Sequence, residues 1–438
     1  MSDYTPPQTW NSLMGKPFVT VSPSKTPDGS DYGAFTPGTT TSGIQEALNA
    51  VLSGGTIRLL PGTFVLRAAV SATITDTVTV VGAGMGASFV QLSSSLSTAG
   101  PYFDITINTT SSYDGPGVHF SDFSFDFNGV SLSGSNTTDA FNLSVSSLNP
   151  IVQASWERVS FQRQAFSQDG TAGGYCIQLV GIQVLNIIIS GCVFGNATYG
   201  LVGDVIRLQS EANADNSSAF PGTIVRDCYF TNIAQGTYGG NPCIVLLGGQ
   251  RNVSITNCTY AEINSTPVGR FLDLFFTGSD TSFSDISVSN CWVSGSKYFV
   301  TYDDLADNLT GNSVSSLHIY DSGFSGANSP SFEYRNTTAS FDYGVEYKGN
   351  IGYNPQGFGI TTPSVPTSGT AQANTFPHPV RVYLLTGGTG TDYTITDPSG
   401  NSEKFAVTLT AGMEITLDPG ASITLTYSSA PTWVWYGV

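Results

Sequence analysis

Apolar and polar residues alternate over most of this chain, and the alternation returns in one short phrase. It reads Ile-Ser-Gly-Cys-Val-Phe ending at Phe194, Val-Arg-Asp-Cys-Tyr-Phe ending at Phe230, and Ile-Thr-Asn-Cys-Thr-Tyr ending at Tyr260. Further copies end at Val293, Phe324 and Tyr353, with weaker ones at Phe125 and Phe161. Successive spacings are 36, 33, 36, 30, 33, 31 and 29 residues. A period of this size marks a solenoid, whose units bury their apolar faces only by stacking on one another. Three residues before each final aromatic or Val stand Gly191, Asp227, Asn257, Asn290, Asp321 and Asn350, types that tolerate left-handed backbone. Strand, sharp bend, strand, once per lap, describes a parallel β-helix with a ladder of Asn-type corners. Helical repeats would need runs of Ala, Leu, Glu and Lys, which are missing.

A second column has the same period. Ile177, Ile206, Ile244, Leu272 and Val300 share an inward face with Leu179, Leu208, Leu246 and Leu274, which leaves Gln178, Arg207, Asp273 and Thr301 pointing outward, one coil apart. Upstream, Thr41–Leu52 reads as a short amphipathic helix, with Thr41 or Ser42 as N-cap, Gln45 or Glu46 completing a capping box, and Gly54-Gly55 as the stop. Thr56–Leu60, the turn Pro61-Gly62, Thr63–Leu66 and Val78–Gly86 then form a first coil. In Gly84-Met85-Gly86 no helix follows the glycines, so the run reads as a coil corner and not a phosphate cradle.

The pattern divides the chain into an amino-terminal arm (1–40), the solenoid (41–360), a Pro/Ser/Thr linker (361–379) and a carboxy-terminal unit (380–438). In the last unit, strand candidates are Val380–Leu385, Tyr393–Thr396, Phe405–Thr410, Glu414–Leu417, Ser422–Tyr427 and Trp433–Tyr436, with turns at Asp397-Pro-Ser-Gly400 and Asp418-Pro-Gly420. They suggest a small antiparallel β-sandwich. Residues 162–175 and 209–222 read as long insertions, the usual carriers of recognition on a rigid scaffold.

The helix, Gly-Gly, strand, Pro-Gly-Thr-Phe64 and Val-Val-Gly-Ala-Gly-Met85 run resembles the opening of pectin-lyase-like right-handed β-helix proteins, and the resemblance covers about residues 40–360. It implies an all-β right-handed parallel β-helix whose amino-terminal helix caps the open end of the solenoid. The ending Ala-Pro-Thr-Trp-Val-Trp-Tyr-Gly-Val438 resembles terminal β domains of phage and archaeal-virus spike proteins. That domain order implies a tailspike or receptor-binding protein at the virion surface. It would be a homotrimer that recognises host-cell polysaccharide or glycoprotein and contacts other virion proteins through its amino-terminal arm.

Composition narrows the chemistry. With Lys+Arg 15 against Asp+Glu 32, a net charge of −17 repels a nucleic-acid backbone, and no basic stretch offsets it. The amino terminus shows no basic n-region or apolar h-region, so no cleaved leader is expected, and no apolar run is long enough for a membrane span. Six cysteines show no metal spacing; Cys192, Cys228, Cys258 and Cys291 hold one slot in four consecutive coils and read as buried thiols. Three scattered histidines make a metal site improbable, and no cofactor is expected. Ten Asn-x-Ser/Thr sequons occur, of which Asn257 falls on a corner.

Polysaccharide cleavage would need two carboxylates at defined separation. Asp273 has the right type and an outward address, with Asp303 and Asp304 near it in coil coordinates, and Asp204, Glu211 and Glu333 close by. Arg207 suits an anionic sugar, Gln178 could bond hydroxyls, and Tyr302 and Tyr334 could stack on sugar rings, as could Tyr175, Tyr199, Tyr238 and Tyr298. The polygalacturonase set of Asn-x-Asp, paired Asp, Gly-His-Gly and Arg-x-Lys is not present in order; Asp303-Asp304 matches only the pair. The reading therefore favours a binding protein, with a glycoside hydrolase or polysaccharide lyase as its rival.

Overall fold

A computed structural model describes residues 15–108, 116–132, 138–145, 153–165, 174–180, 186–196, 198, 201–209, 222–234, 242–248, 250–262, 269–276, 282–295, 298–304, 313–325, 332–334, 340–341, 346–348, 362–376 and 379–437. One lap shows how the sequence closes on itself. Ile187–Ser190 runs into a corner at Gly191, continues as Val193–Phe194 and Leu201–Val202, and returns as Ile206–Gln209 before the next lap begins at Thr223. The opening strand of each of these laps pairs in parallel with its counterpart one lap away: Ile187 with Thr223, Thr223 with Val253, Val253 with Ile286 and Ile286 with Leu317. The result is a parallel β-helix. One long parallel sheet carries nine strands, from Val70–Ile74 through Phe103–Ile107, Phe141–Val145, Ile177–Val180, Ile206–Gln209, Pro242–Leu247, Arg270–Phe276 and Tyr298–Asp304 to Phe332–Tyr334.

The corners lie where the phrase puts them. Gly191, Asp227, Asn257, Asn290 and Asp321 have φ of 61, 55, 53, 52 and 48° and stand in one file, while Asn350 lies outside the described residues. Asn257 Nδ2 donates to Asp227 Oδ1 at 3.2 Å, and lower in the file Arg158 Nε donates to Asp122 Oδ1 at 2.6 Å. The phrase gives no notice of a second file of left-handed residues, Asn186, Gly222, Asn252, Asp285 and Ser316, which turns the chain into each lap. Inside the corners, Phe161, Phe194 and Phe230 stack with ring centroids 5.1 and 4.8 Å apart. Beside them Cys192, Cys228, Cys258 and Cys291 are free and buried.

The capping helix is shorter than its pattern, Ile44–Ala50. Its N-cap is Gly43 at φ 88°, where a Cβ would sit 2.5 Å from the Gly33 nitrogen, so close approach and not side-chain capping selects the residue. Thr41 still serves the first turn, its Oγ1 accepting from the Gln45 N–H at 3.0 Å, while the Ser42 hydroxyl is used on Val65. Ile44 and Leu48 close the solenoid end over Ile57, Ile74, Val78 and Val80.

Two expected boundaries shift. Within the stretch read as an arm, Phe18–Ser22 is already a solenoid strand, with Val19 opposite Ile57 and Val21 opposite Leu59. Its alternation of Phe, Thr and Ser with Val is ordinary strand pattern, shortened by Pro17 and Pro23. Within the stretch read as a linker, Ala371–Ala373 pairs antiparallel with Ser422–Thr424, and the Trp433 indole N–H donates to the Pro363 carbonyl at 2.7 Å. The carboxy-terminal unit has one four-stranded and one three-stranded antiparallel sheet over a core that includes Val382, Leu384, Ile423, Leu425, Trp433 and Trp435. Its third strand is Ser402–Phe405 and not Phe405–Thr410, because the turn at Asp397–Gly400 sets Thr396 opposite Ser402.

Candidate functional site

Several strands of the nine-stranded sheet are entered through a corner where two consecutive side chains are buried. Cys176 and Ile177, Val205 and Ile206, Cys243 and Ile244, and Phe271 and Leu272 are all buried. This doubling breaks the period of two and brings two neighbouring rows to the outer face. One holds Asp139, Tyr175, Asp204, Pro242 and Arg270. The other holds Asn142, Gln178, Arg207, Val245, Asp273 and Thr301, in continuous register.

Arg207 is the hub of the lower part. Its Nη1 donates to the Tyr175 hydroxyl at 2.6 Å, its guanidinium carbon lies 4.9 Å from the Tyr175 ring centroid, and Nη2 donates to Gln209 Oε1 at 3.3 Å. Asp204 Oδ2 stands 3.9 Å from Nη1. Arg207 Nε is buried and has no partner among the described residues, a donor left over after the guanidinium has been positioned. Burial lifts the Asp204 carboxyl above the ordinary range, and Asp139 adds to the lift, against the pull of Arg207 and Arg270. Asp139 Oδ1 accepts from the Tyr175 N–H at 2.8 Å. Gln178 and Arg207 are half-buried, so this part of the outer face meets solvent.

The upper part is closed. Val245, Asp273 and Thr301 are 3%, 3% and 0% exposed. Asp273 points outward in register, as its column requires, but it is not open and does not partner Arg207. Its Oδ2 accepts from Arg270 Nη1 at 2.9 Å and its Oδ1 from Thr301 Oγ1 at 2.8 Å, and Val245 stands between it and Arg207. On a regular strand, residues three apart face opposite ways, so nothing in the alternation announces Arg270 as the partner. The doubled corner puts both on one side.

Asp204 and Asp273 lie two coils apart, about 9.6 Å, and are also displaced along the strand. Asp303 is set one coil from Asp273 and two residues along, roughly 8 Å between backbones. Asp304 is in register with Phe276, Tyr302 with the inward Leu274, and Tyr334 with Tyr302. The side chains of Tyr302, Asp303, Asp304, Glu333 and Tyr334 lie outside the described residues, as do Tyr199, Glu211, Tyr238 and the Tyr298 side chain. No three described His, Cys, Asp or Glu side chains form a group that could hold a metal ion, and no helix among the described residues is long and apolar enough to cross a membrane.

Neither a family model nor a curated protein matches the sequence. Among solved structures the chain is similar to the A-module of mannuronan C-5 epimerase AlgE6 from Azotobacter vinelandii, at 16% identity over 73% of this chain and 99% of that one, with a TM-score of 0.31. It is also similar to the Dettilon tailspike protein, at 11% identity over 97% of both chains and a TM-score of 0.35. A third is endopolygalacturonase I from Stereum purpureum, at 14% identity over 68% and 95% of the two chains and a TM-score of 0.30. Tailspikes and polysaccharide-active enzymes both stand among these similar structures, so the chemistry of this chain has to come from its own rows.

Proposed function

We propose that the chain is a virion-surface spike that recognises host-cell surface glycans, as a homotrimer, with its amino-terminal segment contacting other virion proteins. The observation that carries the reading is the contrast within one row. Gln178 and Arg207, backed by Tyr175, offer half-open donors, whereas Asp273 is buried with both oxygens engaged. A general acid or nucleophile must reach the glycosidic bond; a positioned guanidinium and amide only have to hold it. The acidic surface as a whole favours glycans of low charge, with Arg207 as a local site for an occasional carboxylate or phosphate.

Retention on immobilised capsular and lipopolysaccharide preparations from bacteria and archaea tests this. The intact chain is expected to bind at least one, and Arg207→Gln with Gln178→Ala to weaken that binding about tenfold or more. Unchanged binding by the double variant would remove these residues from the site, and a single-chain mass by light scattering would remove the trimer.

The enzyme reading keeps two specific supports: an Asp204 carboxyl lifted by burial, and the backbone spacing of Asp273 and Asp303. It predicts shortened polysaccharide, lost in Asp273→Asn.

A further inference from the structure

Large apolar side chains are rarely exposed on the described part of this solenoid. Just two are, Tyr229 at 40% and Trp292 at 46%, and they fall in one outward file. Tyr229 pairs with Thr259, Thr259 with Trp292 and Trp292 with Gly323, on the short strands that follow the Asn-type corner. This is a different flank from the nine-stranded sheet that carries Arg207.

The geometry at Trp292 is that of a platform. A Cβ built on Gly323 would fall well inside contact distance of Trp292 Cε3 and Cζ3, so the indole occupies the space that a side chain at 323 would fill, and it remains 46% exposed. Only a residue without a side chain leaves room for that pose. Two residues before the aromatic file runs the exposed corner file of Asp227, Asn257, Asn290 and Asp321, with Arg226 exposed beside it. Flat rings flanked by a row of amides and carboxylates form the complement of a sugar chain, whose ring faces are apolar and whose edges carry hydroxyls.

We propose that this file is a saccharide-binding platform for an extended, neutral, β-1,4-linked oligosaccharide laid along the solenoid axis. Tyr229 and Trp292 are two coils apart, about 9.6 Å in the backbone, and the span of a disaccharide in an extended chain is of this order. In a ribbon-like β-1,4 chain alternate rings present the same face, which fits aromatics on alternate coils with the small Thr259 between them. Asp227 and Asp321 along the edge disfavour an anionic chain. A second copy of the protein fits less well. The two side chains together expose about 200 Å², against roughly 800 Å² per partner in a stable interface.

The test is titration of the full chain with cellohexaose, mannohexaose and chitohexaose, followed by calorimetry and tryptophan fluorescence. At least one is expected to bind saturably and to shift the indole emission. Trp292→Ala should abolish that binding, and Tyr229→Ala and Gly323→Ala should each weaken it about tenfold, the latter with the ring retained but tilted. The titrations are made in the Gln178→Ala, Arg207→Gln background, so that binding on the other flank cannot stand in for binding here and failure of either site is read separately. Thermal unfolding of each variant at the wild-type temperature shows that the fold is intact. If none of the three saccharides binds at millimolar concentration, or if binding survives in the Tyr229→Ala, Trp292→Ala double variant, the proposal is wrong. It is equally wrong if Trp292→Ala lowers the molecular mass in solution, which would make this file an interface between copies.

Discussion

Asp204 shows how one side chain ties the site to stability. Its folded-state pKa is raised by burial and by Asp139, so the folded chain holds this proton more tightly than the unfolded chain does. The associated stability is fully present below the ordinary carboxylate value and is lost as pH rises through the elevated one. Asp204→Asn removes this dependence, and its stability relative to wild type should increase as pH is raised from about 4 toward neutrality. Paired denaturant titrations across that range check it; a difference that stays constant with pH would show that Asp204 titrates normally. The sequence itself assigns residue type and column to Gln178, Arg207 and Asp273, because alternation alone sets a face. It does not assign burial or partners. Whether Asp273 is open depends on what crosses above the sheet, and its link to Arg270 depends on a corner where two residues in a row turn inward, which the period of two does not encode.

At the scale of the element, the corners set the register. Asn290 sits at φ 52° in a file with Asn257 and Asp321, in a backbone region that a β-branched side chain enters at a cost of about 1–2 kcal/mol. Asn290→Val is expected to lose roughly that much in unfolding free energy, and Asn290→Gly only a few tenths of a kcal/mol, since glycine accepts the angle and gives up only entropy and a side-chain contact. Equal losses in the two variants, read from chemical denaturation, would mean that the backbone angle is not what selects the residue. This file was legible because Asn, Asp and Gly recur at a fixed place in the phrase. The second file, from Asn186 to Ser316, is not legible in the sequence because Asn252, Asp285 and Ser316 lie inside strands and the last of them is a serine. Phe18–Ser22 is not legible as a strand because five residues between prolines are too few to show a period.

Over the whole molecule, backbone stacking supplies the architecture and the rows supply the chemistry. Each lap contributes one residue to every row, so a parallel β-helix can space identical functional groups at about 4.8 Å without any further device. The nine-stranded sheet and the flank of Tyr229 and Trp292 use that spacing differently, one around a guanidinium and the other around rings. Under the proposed function both would hold a polymer. The most direct measurement is the chain length of a bound surface polysaccharide before and after prolonged incubation with the intact protein, by size-exclusion chromatography with light scattering. A spike that holds its glycan through Gln178 and Arg207 leaves the length unchanged. Shortening that disappears in Asp273→Asn would make the protein an enzyme and contradict the account.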